Sequence, residues 1–234
     1  MMGGRIHMGS LILAGLFAAQ IGIAAKTREM VPYWTVLPPT PTLRALDLEA
    51  FGDRQFLYRS LVLDLQNFGD TGGRITRMGD YDMTRVVAWL RTMDLLDKDA
   101  DHHLKLAAQY FSMTQTTPDV ALLVAYLQEQ VALSPARHWR WLLDAIYLAQ
   151  VKLHDLSLAT AVADQLAGYD FPDMIIIARQ IAAPLHEKGG DYKGAAEIMA
   201  RALERTRTSA EPGEIAFMES YIAAMRARAA ASAP

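Results

Sequence analysis

Between Gly79 and Gly168 the chain has no glycine, and the interval is filled with Ala, Leu, Gln and Met. Glycine supplies the left-handed backbone of turns, whereas these four residues rank among the best helix formers. The middle of the molecule is therefore constrained to helix after helix. No stretch alternates apolar and polar residues between turn dipeptides, so the fold class predicted is all-α.

The N-terminus carries a second constraint. Met8 to Ala25 reads MGSLILAGLFAAQIGIAA, 18 residues without a charge, with Arg5 before it and Lys26 and Arg28 after it. At about 1.5 Å per residue this is roughly 27 Å of helix, narrowly enough for a transmembrane helix against a hydrocarbon core of ~30 Å. Residues 1–30 are read as a signal-anchor segment, with Lys26, Arg28, Tyr33 and Trp34 as its membrane-interface residues. A cleavable secretory signal is the competing reading, because Gly22-Ile23-Ala24 has the small-x-small form of a cleavage site. Lys26, Arg28 and Arg44 after the segment favour a cytoplasmic body. The short tail before the segment has the ordinary form of a bacterial signal anchor, and on that ground the body is expected on the exported, periplasmic side.

Proline and glycine divide the rest of the chain. Pro32, Pro38, Pro39 and Pro41 make residues 31–46 a Pro-rich linker, extended and semi-rigid. Residues 47–100 are predicted to hold N-terminal helices on either side of a Gly-rich loop at 67–80. Phe56, Leu57, Leu61 and Leu65 recur at helical spacing and end at Gly69. Asp80 or Asp82 caps the next helix, whose face is Met83, Val86, Val87, Leu90 and Met93. A third helix runs from about His103 to Met113. Thr117 is the expected N-cap of a fourth, with Pro118 in its first turn. Ser134-Pro135, Phe171-Pro172 and Glu211-Pro212 repeat that punctuation, and Pro184 should kink its helix or start a new one.

The segment from Gly190 to Leu203, GDYKGAAEIMARAL, has a turn glycine, then an aromatic, a small residue three positions later, a bulky residue and another Ala at helical spacing. It resembles the second helix of a tetratricopeptide repeat. Asp155 to Ala159 with Ala163 has the same spacing, and Thr117 to Ala121 with Ala125 is a weaker copy. Ala121, Ala159 and Ala195 lie 38 and 36 positions apart, near the family's ~34. The resemblance covers Leu104 to Arg205. Its first helices depart from the family pattern, since Ala183 is small but Tyr147 and Gln109 occupy the matching positions. The resemblance implies a stack of helix hairpins over residues 101–228, a concave face for a peptide or partner helix, and protein interaction in place of catalysis. An irregular all-α bundle, its alanines serving only close packing, stays open beside it. Residues 229–234 are expected to be a disordered tail.

Lys and Arg number 23 against 26 Asp and Glu, a net charge of −3, which argues against nucleic acid as a partner. Cysteine is absent. That excludes disulfides, thiolate catalysis and cysteine metal sites. Loop 67–80 could cradle a phosphate with its amides, Arg74 and Arg77, but it lacks the lysine and the preceding strand of a P-loop. The histidines show no His-x-x-x-His pair, no Gly-x-Ser-x-Gly elbow occurs, and no catalytic residue, metal or cofactor is predicted. Arg137-His138-Trp139-Arg140-Trp141 has the composition of an interface anchor. On a helix the two tryptophans point about 200° apart, so one faces the core. Trp89 is a further candidate contact. The expectation is a membrane-anchored helical-repeat adaptor or accessory subunit, embedded through residues 8–25 and binding a protein through Arg74, Arg77, Trp89, Arg137, Trp139, Arg140 and Trp141. An exported peptide-binding module released by cleavage is the alternative, and an enzyme using loop 67–80 is the third reading.

Overall fold

The computed structural model of the chain describes residues 8–27, 37–69 and 75–232. Arg28, Tyr33, Trp34 and Arg74, singled out above, lie outside the described residues. The chain divides into two units, Met1–Thr35 and Val36–Pro234.

The first unit holds helix α1, Met8–Thr27, with Lys26 in its last turn, where a cation complements the negative end of the helix dipole. Its described side chains are all exposed, Leu13, Phe17 and Ile23 among them. Among the described residues no helix is long and apolar enough to cross a membrane. The uncharged run of α1 comes to about 27 Å against the ~30 Å of a hydrocarbon core. The spanning helix expected from the sequence thus draws no support from the fold.

In the second unit the described elements are all helical. They are α2 (Leu43–Glu49), α3 (Arg54–Asn67), α4 (Met83–Leu96), α5 (His102–Lys105), α6 (Thr117–Leu133), α7 (Pro135–His138), α8 (Trp141–Tyr147), α9 (Leu156–Ala167), α10 (Ile176–Gln180), α11 (Ala182–Lys188), α12 (Tyr192–Thr206) and α13 (Pro212–Ala231). Helix α5 continues through a π-helical turn at Leu106–Tyr110 and a 3-10 turn at Phe111–Met113, and α8 continues through a π-helical turn at Leu148–Lys152.

Side-chain caps start several of these helices. Asp53 accepts from the Phe56 amide, Asp82 from Arg85, Asp155 from Leu158 and Asp191 from Gly194. The fourth helix differs from expectation. Its N-cap is Thr116, without a side-chain cap bond, and Thr117 is already helical with Pro118 behind it. Phe171-Pro172 opens a turn, and the helix after it starts at Ile176. Pro184 cannot donate to the Gln180 carbonyl, and α10 gives way to α11 there. Gly190, at φ +84°, closes α11: its amide donates to the Glu187 carbonyl and the Asp191 amide to that of His186, the bond pair of a Schellman turn. Helix α13 runs on to Ala231, so the first half of the expected tail is helix.

Successive helices pack as neighbours in chain order: α6 on α8, α8 on α9, α9 on α11, α11 on α12, and α12 on α13. Polar contacts between helices keep the same short range. Gln128 donates to Gln165, Arg91 pairs with Glu129, and Tyr221 donates to Glu187, partners 34 to 38 positions apart. This arrangement is compatible with a helical-repeat solenoid, where each unit touches only its neighbours. One apolar core threads the stack from Leu46 through Leu90, Leu127 and Ala163 to Met218, and its small residues, Ala145, Ala149, Ala159, Ala178 and Ala182, let helix backbones approach closely.

Candidate functional site

The aromatic and basic residues nominated by the sequence act mostly as internal clasps. Trp89 is buried, and its indole N–H donates to the Pro38 carbonyl at 2.8 Å. Arg85, one turn earlier on α4, donates to the Leu37 carbonyl at 3.0 Å. Together they pin the end of the Pro-rich segment onto α4. Trp139 is also buried and donates to Asp173 at 3.2 Å. The Arg140 guanidinium lies 4.8 Å from the centre of the Trp139 ring and 3.4 Å from Asp173. Arg137 donates to the Lys98 carbonyl at 2.8 Å and pairs with Asp99. Neither Trp89 nor Trp139 can offer its ring to a partner. Each found a buried slot because a backbone carbonyl or a carboxylate satisfies its N–H. Trp141 is half-buried against the core. Lys26 is exposed at the end of α1.

Loop 67–80 is a built connection at both described ends. The Thr76 amide donates to the Gly69 carbonyl at 2.9 Å, and a Cβ on Gly69 would collide with the Tyr81 hydroxyl at 1.9 Å. Any larger residue there would have to displace the Tyr81 ring, which packs directly on the backbone. Beyond that closure Ile75 is 89% exposed with Arg77 exposed beside it. An apolar and a cationic side chain thus project next to each other from an anchored loop.

The polar chemistry of the second unit collects elsewhere, in its core. His103 on α5 is fully buried, and the Tyr58 hydroxyl on α3 meets it twice, accepting from the His103 amide at 3.2 Å and lying 3.2 Å from Nδ1. Nε2 faces Asp94 of α4 at 3.9 Å, too far for a hydrogen bond. His138 on α7 and Tyr126 on α6 are buried as well. His103 Nε2, Tyr126 Oη and both His138 ring nitrogens have no hydrogen-bond partner. Burial drives the His103 imidazole down to about 4, helped by His138, and lowers His138 too. Burial also raises the Asp94 carboxyl against the pull of His138, and pushes the Tyr58 hydroxyl up to about 12.

This cluster holds two histidines buried from solvent. Among the described residues no group of three His, Asp or Glu side chains is placed to hold a metal ion. The sequence showed His102 and His103 side by side and gave no sign of partners 35 and 45 positions away. A second polar junction is closer to the surface. His186 on α11 bridges Asp164 of α9 and Asp191, the cap of α12, at 2.8 Å each. Compared with known proteins, the chain matches no family model, no curated protein and no solved structure.

Proposed function

We infer that the protein is a membrane-attached adaptor, a helical body of tetratricopeptide-like hairpins that holds a protein subunit close to a bilayer. The observation that carries this reading is α1, a helix apolar on every side whose described side chains are all exposed. A helix hydrophobic all round has no solvent face and is suited to lipid. Its uncharged length falls slightly short of the hydrocarbon core. Local thinning of the bilayer and snorkelling of flanking cations such as Lys26 accommodate a deficit of a few ångströms at modest cost. The body adds no competing chemistry, since its buried histidines serve packing and its nominated tryptophans serve as clasps. Ile75 and Arg77, projecting from the closed base of loop 67–80, are the partner contact this reading favours.

Purification of the full chain from native membranes in mild detergent tests this. A co-purifying subunit that is lost in Ile75→Ser and Arg77→Ser variants supports the adaptor. A chain that stays in the aqueous fraction without detergent and elutes alone overturns it.

A further inference from the structure

Apart from Ile75, the most exposed large apolar side chains described in the second unit belong to one bend. Leu48 in the last turn of α2 is 70% exposed, Phe51 in the connection 97%, and Phe56 in the first turn of α3 71%. The connection is tight: the Phe51 amide donates to the Leu48 carbonyl and the Asp53 amide to that of Ala50. All three therefore lie within one helical turn of the same bend. Phe51 has φ +46° and Gly52 is next at +91°. Left-handed backbone suits glycine or asparagine and strains a phenylalanine. Folding by itself gains nothing from a bulky apolar residue, fully in water, at a backbone position that disfavours it. Such a residue points to a use outside the folded body.

Two of the three carboxylates around the bend are engaged within it, and the third, Glu49, is exposed. Asp47 and Arg54 neutralise each other across it at 2.5 Å, and the Asp53 carboxylate is occupied by the Phe56 amide. Arg44 stands one turn behind Leu48 and Arg59 one turn behind Phe56, at the i, i+4 and i, i+3 spacings that share a helix face. Both arginines are exposed. Behind an apolar tip, such cations fall at the level of phosphate headgroups. Covalent reach is consistent with a bilayer as the occupant. The nine residues 28–36 between α1 and the pinned Leu37 span at most about 36 Å. A body tethered so briefly to a helix held in lipid stays within reach of the membrane surface.

We propose that the α2–α3 bend inserts Leu48, Phe51 and Phe56 into the headgroup–acyl boundary of the bilayer, with Arg44 and Arg59 on its phosphates, as a second membrane contact. This rests on the reading of α1 as a membrane attachment. The chain has no cysteine, so single-cysteine variants of the full protein report one site each. Leu13→Cys, Phe51→Cys and Leu133→Cys, carrying an environment-sensitive fluorophore, are reconstituted into phosphatidylethanolamine–phosphatidylglycerol vesicles. The expected result is quenching by doxyl-labelled lipid at positions 13 and 51, roughly threefold or more above that at Leu133, an exposed site elsewhere on the body. A label at 51 that only aqueous iodide quenches, while 13 remains in lipid, overturns the second contact and leaves the α1 attachment standing. A blue-shifted label at 51 that neither quencher reaches shows a protein contact and overturns it also. A label at 13 that iodide quenches in the same vesicles removes the attachment itself.

Discussion

Tyr58 and His103, 45 positions apart, share one hydroxyl: it accepts from the backbone amide of His103 and is hydrogen-bonded to the imidazole Nδ1 of the same residue, both at 3.2 Å. One phenol thereby joins α3 to α5 and satisfies a buried amide at the start of the irregular α5 helix. The ring beside it, 6.0 Å between centroids and edge-on, adds an aromatic contact. The consequence is a histidine held neutral in the core, and acid acts on it.

Acid should destabilise the second unit as pH falls below 6.5. The His103 imidazole sits at about 4 in the fold against 6.5 in the unfolded chain. The depressed value means that the unfolded chain binds the proton first. Stability is full above pH 6.5 and is lost as pH falls from 6.5 toward 4, where the shift amounts to about 3 kcal/mol. His138 is shifted in the same direction. Urea denaturation between pH 7.5 and 4 checks this. A His103→Gln chain should be less stable at pH 7.5 and show a shallower pH slope.

Removing two buried hydroxyls should have opposite effects. Tyr58→Phe leaves the His103 amide and Nδ1 unpaired, which costs about 1–3 kcal/mol. Tyr126→Phe deletes a buried hydroxyl that has no partner, so it should be neutral or stabilise by about 1 kcal/mol. Paired urea titrations read both. A loss above 1 kcal/mol in Tyr126→Phe would mean that an ordered water satisfies that oxygen.

His186 carries the reverse pH dependence. Burial pulls its imidazole down, but Asp164 and Asp191 on either side outweigh it and hold it above the ordinary value. A raised value contributes stability that is present below pH 6.5 and is lost as pH climbs through the folded pKa. An NMR titration of the imidazole should show the raised midpoint, and Asp164→Asn should bring it down. Gly194→Ala should act on the same junction without touching a charge, because its Cβ would lie 2.1 Å from an Asp191 oxygen. Displacing that carboxylate removes both the α12 cap, worth about 1 kcal/mol, and one partner of His186.

Much of this fold was legible because its signals are local. Asp82 ahead of an apolar face, Gly190 before Asp191, and Pro184 inside a helical run each act on backbone within a few residues, and each appears where local chemistry puts it. What the sequence concealed depends on distant partners. Trp89 and Trp139 have the composition of contact residues, and only the carbonyl of Pro38 and the carboxylate of Asp173 make their burial possible. The same holds for the core histidines, whose neighbours come from α3, α4 and α6. The π-helical turns at Leu106–Tyr110 and Leu148–Lys152 have no sequence signal we can identify, although both fall late in the helix that opens a hairpin.

Phe51 separates folding from function most directly. Its side chain is almost wholly in water, so replacing it removes no packing, while its φ of +46° charges the fold with left-handed strain of about 1 kcal/mol. Asparagine tolerates that backbone and, unlike glycine, adds little freedom to the unfolded chain. Phe51→Asn in detergent should therefore gain about 0.5–1 kcal/mol in urea denaturation. A loss instead would show that the ring packs against the body and is not exposed. The same variant should weaken the bend's hold on vesicles, so the stabilised protein is the one that contacts lipid less.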